Sequence, residues 1–120
     1  MLEHGDYGIF GYVDGICAFR CWGQKYKDDF SLYGKKIVLE DRSIYVHYVK
    51  TAADYRRKGL AKEGLSVLIE KFHDRNIYVL IDMTNKASIQ LHKKCFGFEE
   101  IAVIHTKYRF MHNNTDIYWL

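Results

Sequence analysis

The 120-residue sequence predicts an α/β fold with a mixed β-sheet and the element order ββ-β-α-β-α-ββ. Three patterns support this class: a two-residue turn between apolar runs, a strand–helix–strand unit in mid-chain, and a second helix followed by two strand-like segments. Apolar residues make up 48% of the chain, which is enough for a sizeable core and excludes intrinsic disorder. A chain of this length has room for one core, so we expect a single domain over residues 1–120.

Two strands are expected at the start of the chain. Residues 7–13 and 16–22 are apolar-rich runs separated by Asp14-Gly15. This dipeptide favours a type I′ hairpin turn, because both turn positions need a positive φ. The mostly polar residues 23–43 then predict a long loop, with a short strand at 37–39.

The middle of the chain predicts a crossover between two strands. Residues 44–50 are apolar on both faces, as in a central strand. From Gly59 to Phe72 the apolar residues recur at helical spacing, and residues 77–83 form the next apolar, strand-like run. Such a unit predicts a right-handed connection between parallel strands.

A second helix and two more strands are expected towards the end. Asn85 can cap a helix over residues 86–95, and Gly97 can end it. Residues 100–111 and 116–120 are strand-like and flank a turn expected at 112–115.

Composition limits the classes of function. The net charge of +3 does not by itself imply a nucleic-acid-binding surface. Cys17, Cys21 and Cys95 form no CxxC pair, so we expect buried, reduced thiols and no metal site. The chain has neither an apolar run long enough to span a membrane nor the pattern of a signal peptide, which favours a cytoplasmic protein with no membrane partner.

Positive charge is concentrated between the third strand and the first helix. The first helical N–H groups lack intrahelical partners there, and Gly59 and Ala61 let a ligand approach the backbone closely. The helix dipole and the position after a central strand both favour binding of an anion such as pyrophosphate. A solvated basic turn is the alternative. The four cations are Arg56, Arg57, Lys58 and Lys62.

Residues 56–61 read RRKGLA, which resembles the R/Q-x-x-G-x-G/A signature of the GNAT superfamily of N-acetyltransferases. Residues 85–98 are similar to a second family pattern, N-x-x-S-x-x-L-Y-x-K-x-G-F. The likeness covers about residues 7–111. It implies a GNAT-like sheet, acetyl-CoA as co-substrate, and direct transfer of the acetyl group to an amine of a small molecule or a protein.

The resemblance also implies which residues bind acetyl-CoA. Backbone amides of the signature would hold the pyrophosphate. Backbone groups of the third strand would bind the pantetheine and polarise the thioester carbonyl, and the residue that caps the second helix would face the pantetheine and the sulfur. The amides for the pyrophosphate are those of Arg57, Lys58, Gly59, Leu60, Ala61 and Lys62, and Arg56 opens the signature. The residues of the third strand are Val49 and Thr51, and the residue at the second helix is Asn85.

His47 is the candidate general base. It lies two residues before Val49, which in a regular strand puts both side chains on one face. Some family members carry a histidine base at this position, and an imidazole with a pKa near ~6.5 suits proton transfer at neutral pH. A packed core histidine is the alternative.

His92 is the candidate general acid. Counted from Asn85, it stands where many family members carry the tyrosine that protonates the coenzyme A sulfur. Counted back from Gly97, Lys93 takes that position, because this chain has one extra residue. We favour His92, which shares one helical face with other residues of the pattern, and a structural role is the alternative.

The chain departs from the family pattern at its start. Family members usually begin with a strand and two helices, whereas only six residues precede the first predicted strand here. We therefore expect an N-terminally shortened domain that lacks roughly 40–60 residues. The first strand would then have an uncovered edge, which predicts a homodimer.

Two other hypotheses remain open beside the enzyme. One is a shortened module that binds coenzyme A or a partner without catalysis, and the other, weaker one is nucleic-acid binding through the basic segment. The acceptor amine is not specified by the sequence.

Overall fold

The structure of the chain, a computed structural model, describes residues 6–109 and 112–119. It has the mixed α/β architecture that the sequence predicts. The strands are β1 (Tyr7–Val13), β2 (Ile16–Lys25), β3 (Ser31–Leu32), β4 (Lys35–Lys36), β5 (Ile44–Thr51), β6 (Ile77–Val79), β7 (Ala102–Arg109) and β8 (His112–Trp119); the helices are α1 (Leu60–Lys71) and α2 (Lys86–Gln90).

The main sheet has the strand order β1-β2-β5-β6. β1 and β2 form the predicted hairpin, in which Asp14 and Gly15 have φ values of 50° and 79°, as a type I′ turn requires. β2 runs on to Lys25, past the predicted end at residue 22, because it stays paired with β5 as far as Ile44. β5 and β6 are parallel, as predicted.

The core lies between α1 and one face of the main sheet. Gly64 of α1 is required for this packing, because a Cβ there would lie 2.0 Å from the ring of Phe19 on β2. The contact brings the helix directly onto the sheet, and it fixes where α1 begins relative to the end of β5. The buried cluster consists of Phe19, Cys21, Ile44, Val46, Leu65, Leu68 and Phe72.

Two strand predictions are wrong in their bounds. The loop has its short hairpin at β3 and β4, with Tyr33 and Gly34 in the turn at positive φ, and residues 37–39 are not a strand. β6 ends at Val79 and not at residue 83, because its pairing with β5 ends there.

β7 and β8 pair only with each other within the described residues and form a separate two-stranded sheet. The turn predicted at 112–115 is wrong, because these residues belong to β8, where Thr115 pairs with Thr106. The ends predicted for these strands, Met111 and Leu120, lie outside the described residues, as do residues 1–5.

The second helix begins as predicted, since Ser88 N donates to the Oδ1 of Asn85 over 3.1 Å. It is α-helical only to Gln90 and continues as a π-helical turn over Leu91–Cys95. A π turn takes one residue more than an α turn, so it accommodates the extra residue in this segment.

Only one cysteine follows the prediction of buried thiols. Cys21 is fully buried, and this burial raises the pKa of its thiol to about 11. Cys17 and Cys95 are exposed, because one lies next to the hairpin turn and the other ends the π turn, and all three are free. No helix among the described residues is long and apolar enough to cross a membrane.

Candidate functional site

β5 and β6 separate at their carboxyl ends. They pair only from Ile44 to Val46 and from Ile77 to Val79, whereas β5 continues along β2 as far as Thr51. The edge of β5 beyond Val46 therefore has no strand beside it in the described structure. A parting of parallel strands at their carboxyl ends is where open α/β sheets bind ligands.

A β-bulge lies on this open edge. Trp22 pairs with His47 and Arg20 pairs with Lys50, so β5 has one residue more than β2 between them, and Tyr48 has a positive φ of 52°. The bulge interrupts the alternation of side chains. The two-residue spacing from which we expected His47 and Val49 on one face is therefore invalid here.

Six consecutive backbone N–H groups, from Arg57 to Lys62, have no acceptor in the described structure. The first hydrogen bond of α1 runs from Glu63 N to Gly59 O over 3.0 Å, and no side chain caps the helix. Free donors at the positive end of a 12-residue helix favour an anion.

The backbone at this end of α1 is open to solvent. Gly59 has a φ of 78°, and a Cβ added to it would meet no atom within 4 Å. Leu60 and Ala61, by contrast, pack against the core cluster, so the free N–H groups belong to a fixed turn. The site therefore combines room for a ligand with a rigid frame.

The cations of this segment have no carboxylate partner among the described residues. The salt bridges among the described residues, Arg42–Asp74 and Lys93–Glu100, lie outside this segment. Arg56 Nε donates to Thr51 O over 3.2 Å, which ties the segment to the end of β5 and occupies one backbone group that we expected to bind pantetheine. The site thus keeps a net positive charge next to the open edge.

His47 lies on β5, immediately before the bulge. Its ring stacks on Tyr45 at 5.7 Å between centroids and contacts the ring of Tyr48 at 4.5 Å. Its Nε2 is buried without a hydrogen-bond partner. Burial lowers the pKa of His47 from its ordinary value, although the charge of Asp6 partly offsets this effect, and the lowered pKa favours the neutral imidazole.

His92 lies in the π turn and is only 3% exposed. Its Nδ1 donates to Ser88 O over 2.8 Å, since a carbonyl oxygen can only accept. A neutral His92 therefore has a lone pair and no proton on Nε2. The rings of Phe96 and Phe98 contact it edge-on and fix its orientation.

His47 does not line the groove on which His92 lies. His92 lines a groove of about 1200 Å³ between residues 77–83 and 97–104, and neither His47 nor any residue of the basic segment lines this groove. Asn85 uses its Oδ1 as the cap of α2. Among the described residues, no cluster of three or more His, Cys, Asp or Glu side chains could hold a metal ion.

Sequence patterns did not connect the long loop with His47. Phe30 is a buried loop residue whose ring contacts Tyr45 at 5.0 Å, and Tyr45 in turn stacks on His47. An aromatic residue between the polar Asp29 and Ser31 was the only signal in the sequence.

The fold and the site together define an α/β protein in which two parallel strands part beside a run of free N–H groups and cations. A family model described as the acetyltransferase (GNAT) family matches residues 7–98. The chain belongs to this family, and its fold is GNAT-like.

Two solved structures resemble the chain. One is the aminoglycoside N-acetyltransferase AAC(6′)-Iy in complex with a bisubstrate analogue, CoA-S-monomethyl-acetylneamine; it is 16% identical, with a TM-score of 0.64, over 88% of this chain and 70% of that one. The other is AAC(6′)-Iy in complex with CoA, which is 18% identical, with a TM-score of 0.63, over 84% of this chain and 74% of that one. At these identities, the likeness shows a common fold. A search of curated proteins found no match.

Proposed function

We propose that the chain is an acetyl-CoA-dependent N-acetyltransferase that transfers the acetyl group directly to an amine. The observation that carries this proposal is the run of free N–H groups from Arg57 to Lys62, next to the open edge of β5. No carboxylate of residues 6–109 or 112–119 forms a salt bridge with the cations of this segment. A diphosphate would accept hydrogen bonds from these groups and compensate the cations around them.

The open edge of β5 would hold the pantetheine arm. Backbone groups at Val49 and Thr51 would bind it and polarise the thioester carbonyl, while Asn85 would face the sulfur region from the start of α2. Because Arg56 already binds the carbonyl of Thr51, this contact would have to be shared or exchanged on binding.

In the reaction, the nitrogen of the amine would form a bond to the thioester carbon, and the carbon–sulfur bond would break. His47 would accept the proton of the amine, through a water molecule because its Nε2 is buried. Its lowered pKa keeps it in the basic form, and this role would be lost as the pH falls through that pKa. His92 would protonate the thiolate only as an imidazolium, because its Nδ1 proton is already donated to Ser88 O.

The acceptor class stays broad. The two similar structures are aminoglycoside acetyltransferases, which makes an aminoglycoside a reasonable member of an amine panel with polyamines, arylalkylamines and lysine peptides. The proposal includes a single domain over residues 1–120 and a location in the cytoplasm. The three free thiols support this location, because the cytoplasm keeps thiols reduced.

We also propose a homodimer. β1 is an outer strand of the main sheet, and Phe10 and Tyr12 on it are 47% and 67% exposed. A second copy would cover this edge and its apolar side chains.

The test has two steps. Coenzyme A at 100 times its Kd adds about 2.7 kcal/mol of stability and raises the melting temperature, which a protein without a site would not show. Release of free thiol from acetyl-CoA in the presence of the amine panel then demonstrates transfer. Binding without thiol release for any amine would favour the non-catalytic module, and the absence of binding would refute the proposal.

A further inference from the structure

Four aromatic rings form a continuous column from the long loop to the bulge of β5. The centroid distances are 5.0 Å from Phe30 to Tyr45, 5.7 Å from Tyr45 to His47 and 4.5 Å from His47 to Tyr48. The Tyr45 and His47 rings are nearly parallel, at 19°, so Tyr45 lies beside the imidazole in an offset stack.

Phe30 is held firmly although it lies in a loop. Its N–H donates to Lys27 O over 2.9 Å, and its carbonyl accepts from Ile37 N over 3.0 Å. Its side chain is only 7% exposed. A loop residue with both backbone groups bonded and its ring buried has a fixed position.

The loop itself is fixed at its base. Tyr26 N donates to Ser43 O over 2.9 Å, and the Ser43 hydroxyl donates to Glu40 O over 2.6 Å. Glu40 also accepts a hydrogen bond from the hydroxyl of Tyr78 on β6. These contacts join the loop to the two parallel strands that part beside the basic segment.

From these contacts we propose that Phe30 is a positioning residue that acts on His47 through Tyr45. Its ring keeps Tyr45 against the imidazole, which sets the orientation of His47 and excludes water from its Nε2. The loop thereby contributes to the reaction without contacting the reacting atoms, and this part of the inference rests on the proposed function.

The first test uses NMR of the full chain with labelled histidine, following the His47 ring across pH. Its signal is assigned by His47→Gln. In Phe30→Ala, water reaches the imidazole, and we expect the pKa of His47 to rise towards its ordinary value. The titratable groups that face His47, namely Asp6, Tyr45 and Tyr48, are not substituted in this variant. No charge is added or removed, so the rise reports lost packing.

The second test is kinetic. If His47 is displaced, kcat should fall about tenfold to a hundredfold, while the KM for acetyl-CoA stays constant because the basic segment is intact. Compared with Phe30→Ala, Phe30→Leu should restore most of the activity and should bring the pKa of His47 back towards its wild-type value. Val38→Ala is the control, since Val38 is an apolar residue of the same loop that is 75% exposed.

The outcomes separate the two proposals. An unchanged His47 titration in folded Phe30→Ala refutes the positioning role, whatever the activity. A raised pKa with no turnover by the wild-type chain supports the ring column and refutes the proposed reaction. If Phe30→Ala does not fold, Tyr45→Leu must give the same rise in the His47 pKa, and its failure to do so refutes the inference.

Discussion

Replacement of Gly59 by glutamate tests the anion site most directly. Gly59 precedes α1 at a φ of 78°, where any other residue is strained by about 1–2 kcal/mol. A Cβ there meets no atom within 4 Å, so the substitution brings strain and a carboxylate but no steric clash. The carboxylate would lie beside the N–H groups that we expect to bind the diphosphate.

The magnitude follows from the charges. Two unit charges about 4 Å apart repel by about 1 kcal/mol in water and about 4 kcal/mol at the effective dielectric of a protein surface. A diphosphate carries more than one charge, so we expect Gly59→Glu to weaken coenzyme A binding by about tenfold to several hundredfold.

Thermal melting measures this loss. Coenzyme A at 100 times the wild-type Kd adds about 2.7 kcal/mol, which for a chain of this size raises Tm by roughly 10 °C. After a hundredfold loss of affinity, the same concentration adds only about 0.4 kcal/mol.

A matched control separates charge from strain. Gly34 has a φ of 80° and equally open surroundings, but it lies in the turn between β3 and β4. Gly34→Glu should lose similar stability without losing the coenzyme A shift, and Gly59→Ala should lose stability and little affinity. An undiminished shift in Gly59→Glu would show that these N–H groups do not bind the diphosphate.

Three further outcomes are expected. His92→Phe should lower kcat at least tenfold with the coenzyme A melting shift retained, and an unchanged kcat in thiol-release assays would remove His92 from proton transfer. The hydrogen bond from Tyr78 lowers the pKa of Glu40. The stabilisation that this hydrogen bond gives the fold is therefore present above the ordinary glutamate pKa, and it is lost as the pH falls through the lowered pKa of Glu40. Tyr78→Phe should therefore cost at most about 1 kcal/mol in urea unfolding near neutral pH, because Glu40 is exposed, and the same cost in strong acid would contradict this reasoning. Sedimentation should give a dimer, and a monomer at high concentration would count against the exposed β1 edge as an interface.

Local patterns predicted the parts of the fold that depend on neighbouring residues. The Asp14-Gly15 turn, the cap at Asn85 and the helical stripe of α1 all follow from backbone preferences and spacing within a few residues. The free N–H groups of the RRKGLA segment could also be predicted locally, because they result from the start of a helix.

The bulge at Tyr48 could not be predicted in this way. Residues 44–50 are apolar on both faces, and the bulge exists only in relation to the pairing with β2. The position of Phe30 depends on Ile37 and Tyr45, and the contact of Glu40 with Tyr78 spans 38 residues. Such contacts depend on tertiary packing, about which spacing within one segment carries no information.

The second helix is an intermediate case. The forward and backward counts of its pattern differ by one residue, and this mismatch was the signature of the π turn over Leu91–Cys95. The sequence thus located the irregularity, whereas only the structure showed that His92, and also Lys93, line the same groove.

The π turn gives this stretch an unusual evolutionary property. Loss of a single codon within it would convert the turn to ordinary α-helix, and because the wide turn already absorbs the extra residue, the residues downstream would keep nearly the same orientation. One deletion event could therefore exchange the side chain presented at this point, without any point substitution. A library of one-residue deletions across 91–96 would sample that change directly.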